Sequence, residues 1–178
     1  MADATKIRLI ISDVDGVWTD GKIIYAGERN EIKEFNVRDG LGAKLAQKAG
    51  ITIVLLTSRR SHALERRARE LGIRELHQGA TNKLEAAERI ALQHQVSFDE
   101  ILYAGDDLPD LAPMSRAAIS AAPSDAAPEV RTLATWKLAS AGGGGAFREL
   151  VERLLRERGD WDALVREFLS GRPDAASI

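Results

Sequence analysis

The sequence predicts an α/β fold, a three-layer sandwich with a mainly parallel sheet between helices. Short β-branched apolar runs alternate along the chain with longer stretches whose apolar residues recur at helical spacing. The 178 residues suit one sizeable core rather than two independent domains. With 44% hydrophobic and 29% charged residues, the chain is ordinary for a folded globular protein, which excludes wholesale disorder and fibrous repeats.

The first run, residues 7–11, is stopped by Ser12-Asp13 and reads as a buried central strand. Residues 21–25 and 31–35 flank the turn-rich 26–30 and read as a β-hairpin covering about 21–36. On its second arm Ile32 and Phe35 do not alternate cleanly, so a bulge or a two-sided contact is expected there. A projecting ribbon has open edges, which partner subunits can cover. Further strands are expected at 51–56, 75–78, 101–104 and 117–121, and helices at 41–49, 61–71, 82–93 and 109–116. That alternation calls for βαβ units with right-handed crossovers. Gly142 to Gly145 reads as a flexible hinge before a helix at 146–158, with Phe147, Leu150, Val151, Leu154 and Leu155 on its apolar face. A second amphipathic helix at 161–169 and a loose tail at 171–178 close the chain.

Lys plus Arg total 25 against 27 for Asp plus Glu, so a net charge of -2 offers no broad footprint for nucleic acid or anionic lipid. Without cysteine there is no disulfide, thiolate nucleophile or thiolate-bound zinc, and any metal must rest on oxygen or histidine. His62, His77 and His94 lack ligand spacing and read as surface or structural residues. The polar first residues and the lack of any bilayer-length apolar run make the cytoplasm the expected location. No Gly-x-Gly-x-x-Gly follows the first strand, which argues against a dinucleotide fold.

Asp13-Val14-Asp15-Gly16 follows the first strand, and alternate residues of an extended chain point to one side. Two carboxylates therefore converge where open α/β sheets form their ligand crevice. A second acidic cluster, Gly105-Asp106-Asp107-Leu108-Pro109-Asp110, follows another buried strand at the same edge. Acids gathered from two strands repel unless a hard cation such as Mg2+ joins them. Asp107 and Asp110 also read as a helix cap or first-turn acid, and for Asp110 that reading weighs at least as much as a direct metal role. Thr57-Ser58 ends a third strand with hydroxyl and backbone donors, and Lys83 starts a helix near the same crevice. Trp18 is placed at the cleft mouth or a subunit contact, Trp136 and Trp161 in packing, and Arg38 with Asp39 in a structural ion pair.

These segments resemble, in order, the four motifs of haloacid-dehalogenase-like phosphatases: Asp13-Val14-Asp15-Gly16, Thr57, Lys83 and Gly105-Asp106-Asp107. The hairpin, Asn36-Val37-Arg38-Asp39-Gly40-Leu41-Gly42 and Gly79 to Lys83 are similar to the 3-deoxy-D-manno-octulosonate 8-phosphate phosphatase branch. The resemblance spans about 7–155 and implies a Rossmann-like domain at 1–158 without a large cap domain, followed by a helix and tail at 159–178. It implies Mg2+-dependent hydrolysis of a phosphosugar, with Asp13 as nucleophile and Asp15 as acid and base. Asp13, the Asp15 backbone carbonyl and Asp106 would hold Mg2+. Thr57, the Ser58 backbone and Lys83 would hold the phosphoryl group, and Arg59 would meet the sugar acid with its planar fork. The resemblance also implies a homotetramer whose active sites lie near subunit interfaces, with no nucleic-acid or membrane partner.

Two positions depart from the branch pattern. Ser58 stands where glycine is common, and the glycine run lacks its usual basic residue. Exact specificity is thereby open between eight-carbon and nine-carbon sugar acid phosphates. The rivals from other classes are a phosphoryl-accepting signalling receiver, whose acceptor normally follows a later strand, and a noncatalytic oligomerisation module on the same scaffold.

Overall fold

The computed structural model describes residues 3–27 and 31–171. In chain order, β1 (Leu9–Ser12) leads to the short pair β2 (Ile24–Tyr25) and β3 (Glu31–Ile32), and then to α1 (Val37–Lys48). Next come β4 (Thr52–Thr57), α2 (His62–Leu71), β5 (Glu75–Gln78), α3 (Lys83–His94) and β6 (Ile101–Ala104). The remainder is α4 (Leu111–Arg116), β7 (Ile119–Ala122), α5 (Pro128–Leu133), β8 (Trp136–Lys137), α6 (Ala146–Arg158) and α7 (Trp161–Leu169).

Six strands form one sheet in the order β5-β4-β1-β6-β7-β8, and every pairing in it is parallel. The continuous burial of β1, β6 and β7 is what a sheet covered on both faces requires. Ile10, Ile53, Leu55 and Leu102 pack against α1, α2 and α6 on one face. Leu9, Ile11, Val54, Leu56 and Tyr103 pack against α3, α4 and α5 on the other. From β1 the chain runs outward to β5 and then crosses back to β6, so the topology switches direction at β1, where a crevice opens. Ser12 lies opposite both Leu55 and Ala104, so the loops after β1, β4 and β6 leave the sheet side by side.

The differences from expectation have local causes. α1 begins at Val37 because the Asn36 side chain accepts the Arg38 N–H at 2.9 Å and caps it ahead of Leu41. The expected helix at 109–116 is split into a 3-10 turn, Leu108–Asp110, and α4. α5 and β8 were not expected; each is too short to show a period. The hairpin is a small two-stranded sheet pairing Ile24 with Ile32 and Tyr25 with Glu31, while the tip of its turn at 28–30 lies outside the described residues. The expected tail also lies outside them beyond 171. Among the described residues no helix is long and apolar enough to cross a membrane.

Three readings are corrected. The glycine run is a fixed strap: Gly142 N–H donates to Asp125 Oδ1 at 2.9 Å and Gly143 N–H to the Val17 carbonyl at 3.1 Å. A Cβ on Gly142 would overlap the Gly16 carbonyl, so the absence of side chains permits close contact rather than a hinge. Trp18 turns inward from the cleft mouth, stacking on Phe147 at 4.0 Å and donating its indole N–H to Ser12 Oγ at 3.0 Å. Asp39 is fully buried, and its partner is the Arg148 backbone N–H at 2.7 Å, at the start of α6, in place of the expected pair with Arg38.

Candidate active site

The loop after β1 curls immediately. The N–H groups of Val17, Trp18 and Thr19 all point at the Val14 carbonyl, at 3.2, 2.9 and 3.3 Å, while Asp13 N–H is tied to the Ala104 carbonyl at 2.9 Å. Gly16 adopts φ +91°, and a Cβ there would overlap the Asp106 carboxylate. Glycine at this turn therefore lets the acids of two loops approach.

Lys83, the first residue of α3, is set by its Asn82 cap and reaches between two acids. Its Nζ lies 2.9 Å from Asp13 Oδ2 and 2.8 Å from Asp110 Oδ1. Asp110 is saturated: Oδ1 also accepts the Tyr103 hydroxyl at 2.9 Å, and Oδ2 faces the Asp106 and Asp107 N–H groups at 3.3 and 3.5 Å. Asp106 Oδ1 is buried with no hydrogen-bond donor. Carboxylate oxygens of Asp13, Asp106 and Asp110 lie within 4.8 Å of one another.

Burial pushes the Asp106 carboxyl up to about 8, reinforced by the charges of Asp13 and Asp110. Burial and Asp110 push Asp13 up to about 6, against the opposing pull of Lys83. Burial alone would lower the Lys83 ammonium, but Asp13 and Asp110 outweigh it and hold the group above its ordinary value.

Asp15 points elsewhere. Its Oδ1 accepts from Lys33 and its Oδ2 from the Thr57 hydroxyl at 3.4 Å. Thr57 Oγ1 in turn accepts the Arg59 N–H at 3.1 Å, while the Ser58 side chain is exposed. Arg59 Nη2 donates to Glu31 Oε2 at 2.5 Å, so the residue expected to meet a sugar acid already holds a carboxylate of the hairpin. All the expected site residues line one cleft of about 260 Å3. A larger hollow of about 530 Å3 beside α6 is lined by charges such as Arg148, Glu152 and Arg156 and contains none of these residues.

The KdsC 3-deoxy-D-manno-octulosonate 8-phosphate phosphatase of Escherichia coli (strain B / BL21-DE3) is 40% identical over 162 residues, covering 91% of this chain and 86% of that protein. The chain belongs to the 3-deoxy-D-manno-octulosonate 8-phosphate phosphatase family. A family structure from Moraxella catarrhalis, in complex with magnesium ion, phosphate ion and a KDO molecule, superposes with a TM-score of 0.91 at 36% identity, covering 93% of this chain and 95% of that one. The cobalt-bound family member from Haemophilus influenzae gives a TM-score of 0.90 at 36% identity, with coverages of 94% and 99%. No protein-family model matches the chain.

The donor set of this family member fits a hard divalent ion. It consists of carboxylate oxygens, and the buried Asp106 Oδ1 lacks any other partner. Asp110 is nearby, but Lys83, Tyr103 and backbone N–H groups occupy it, which makes it a support for the loop. The sequence reading left Asp110 between two roles and missed Tyr103, Glu31 and Lys33. The position of Tyr103 in a buried strand just before Gly105-Asp106 was a usable signal for the first; nothing local marks the other two.

Proposed function

We propose that this chain hydrolyses 3-deoxy-D-manno-octulosonate 8-phosphate to the free sugar acid and phosphate, a step in lipopolysaccharide precursor synthesis. The observation that carries this reading is the buried Lys83–Asp13 pair beside Asp106, in a chain 40% identical to KdsC. In the proposed reaction an Asp13 carboxylate oxygen attacks phosphorus and the bond to the sugar oxygen breaks, giving an aspartyl-phosphate. Asp15 gives its proton to the departing oxygen, then takes one from the water that attacks the phosphoenzyme and releases phosphate. Splitting one displacement into two lowers each barrier. Lys83, Thr57 and the Ser58 backbone hold the phosphoryl oxygens as their charge redistributes. Arg59 takes the substrate carboxylate.

Asp13, Asp106 and the Asp15 backbone carbonyl are the proposed ligands of Mg2+. When bound, Mg2+ offsets the repulsion between the attacking carboxylate and the anionic ester. Asp110 keeps Lys83 and the Asp106 backbone in place. Residues 1–158 form the proposed phosphatase domain, with 159–178 as helix and tail, and a cytoplasmic setting agrees with the absence of cysteine.

A homotetramer is part of the proposal. Ile24 and Ile32, paired across the hairpin, are 44% and 51% exposed, so the hairpin offers an apolar face for a neighbour. Light scattering is expected to give a tetramer mass; a monomer at working concentration contradicts it.

The function is tested by catalytic efficiency on the eight-carbon 8-phosphate beside nine-carbon 9-phosphates, with Mg2+ present. Preference for the eight-carbon compound is expected. Preference for a nine-carbon compound replaces the substrate and leaves the reaction class, whereas no turnover of any phosphosugar favours the noncatalytic module.

A further inference from the structure

We infer that Lys33, on the second arm of the hairpin, is a positioning residue that aims the Asp15 carboxylate. The inference rests on the proposed role of Asp15 as the acid for the leaving group.

The Lys33 side chain is only 1% exposed, and it contacts two acids, Asp15 Oδ1 and, at 2.8 Å, Glu31 Oε1. An ammonium so far from water persists only with opposite charges around it. Glu31 is held from its other oxygen by Arg59, at 2.5 Å. The four side chains therefore alternate in sign from Arg59 through Glu31 and Lys33 to Asp15. The local backbone explains how the hairpin reaches inward. Glu31 and Ile32 are paired with Tyr25 and Ile24, Ile32 faces outward at 51% exposure, and the period of two turns Glu31 and Lys33 together toward the cleft.

The consequence falls on Asp15. Among the described residues its other hydrogen bond is the 3.4 Å contact from Thr57, too long to fix a carboxylate by itself. Lys33 thus decides where the group points, holding Oδ1 and leaving Oδ2 for the leaving oxygen. Without the Lys33 charge, Asp15 and Glu31 are like charges with nothing between them, and Asp15 swings away.

The test uses leaving groups of different basicity. A sugar alkoxide needs its proton, whereas the phenolate of p-nitrophenyl phosphate departs without one. In full-length Lys33→Met, the single-turnover rate of sugar release from saturating 3-deoxy-D-manno-octulosonate 8-phosphate is expected to fall on the order of 100-fold with KM little changed. The single-turnover release of p-nitrophenolate, which precedes the water step that also uses Asp15, is expected to fall far less, and Lys33→Arg restores most of the sugar-release rate. Glu31→Gln, which loosens Lys33 from its far side, gives the same pattern in weaker form and serves should Lys33→Met fail to fold. Equal losses on the two substrates, or a change confined to KM, overturn the inference while wild-type turnover leaves the proposed function standing. Absence of wild-type turnover on both substrates removes the function and this inference with it.

Discussion

The Lys83 ammonium and the Asp13 carboxylate stand 2.9 Å apart, brought together from the start of α3 and the end of β1, with side chains 4% and 9% exposed. Removing one member of such a pair leaves a charge without water or partner. Lys83→Met is expected to cost about 3 kcal/mol, read as a lower urea midpoint at unchanged slope. Phosphate release should fall at least on the order of 100-fold. Unchanged stability would show that the pair has no net structural role.

The fold was largely legible because strands buried on both faces read as short apolar runs: β4, β5 and β6 stand within a residue of expectation, and β1 starts two residues later than expected. The acids were legible because the loops after β1 and β6 must leave the same edge. Long-range contacts left no local trace. Trp18 borders the Asp13 loop in sequence, yet the curl around the Val14 carbonyl sends it onto Phe147. Glycines 142–145 read as a hinge because sequence cannot register the Gly16 backbone pressed against them. Lys33 reads as an ordinary strand lysine until the hairpin folds over Asp15.

The pH dependence of cation-free protein follows from Asp106 and Asp13, whose carboxyls burial raises to about 8 and about 6. Unfolding returns each to about 3.9. Between these values the folded state binds more protons at these two groups than the unfolded state, so the stability they contribute is present below pH 4 and lost as pH rises toward 8. Thermal melts without Mg2+ are expected to decline across that window, and Asp106→Asn should flatten the decline. Added Mg2+ should stabilise more at pH 8 than at pH 5. A pH-independent effect of Mg2+ would show that the ion binds elsewhere.

Asp110 accepts from Lys83, Tyr103 and two backbone N–H groups beside the proposed cation site. Asp110→Asn is expected to weaken Mg2+ binding by about 10- to 100-fold, measured by calorimetry. Unaltered affinity would reduce Asp110 to a loop cap.

Asp39 ties α1 to α6 through the 2.7 Å bond from Arg148 N–H. Asp39→Ala should cost about 1–3 kcal/mol by orphaning that donor, while kcat stays near wild type. A large loss of kcat in a stably folded variant would bring Asp39 into the reaction.

The central claim is that Asp13 becomes covalently phosphorylated. A single turnover in heavy-oxygen water, acid-quenched and mapped by mass spectrometry, tests it most directly. The phosphoryl group is expected on Asp13 of wild type, followed by heavy oxygen in the released phosphate, with neither signal in Asp13→Asn. Phosphate released by Asp13→Asn, or a phosphoryl group on another residue, would contradict the account.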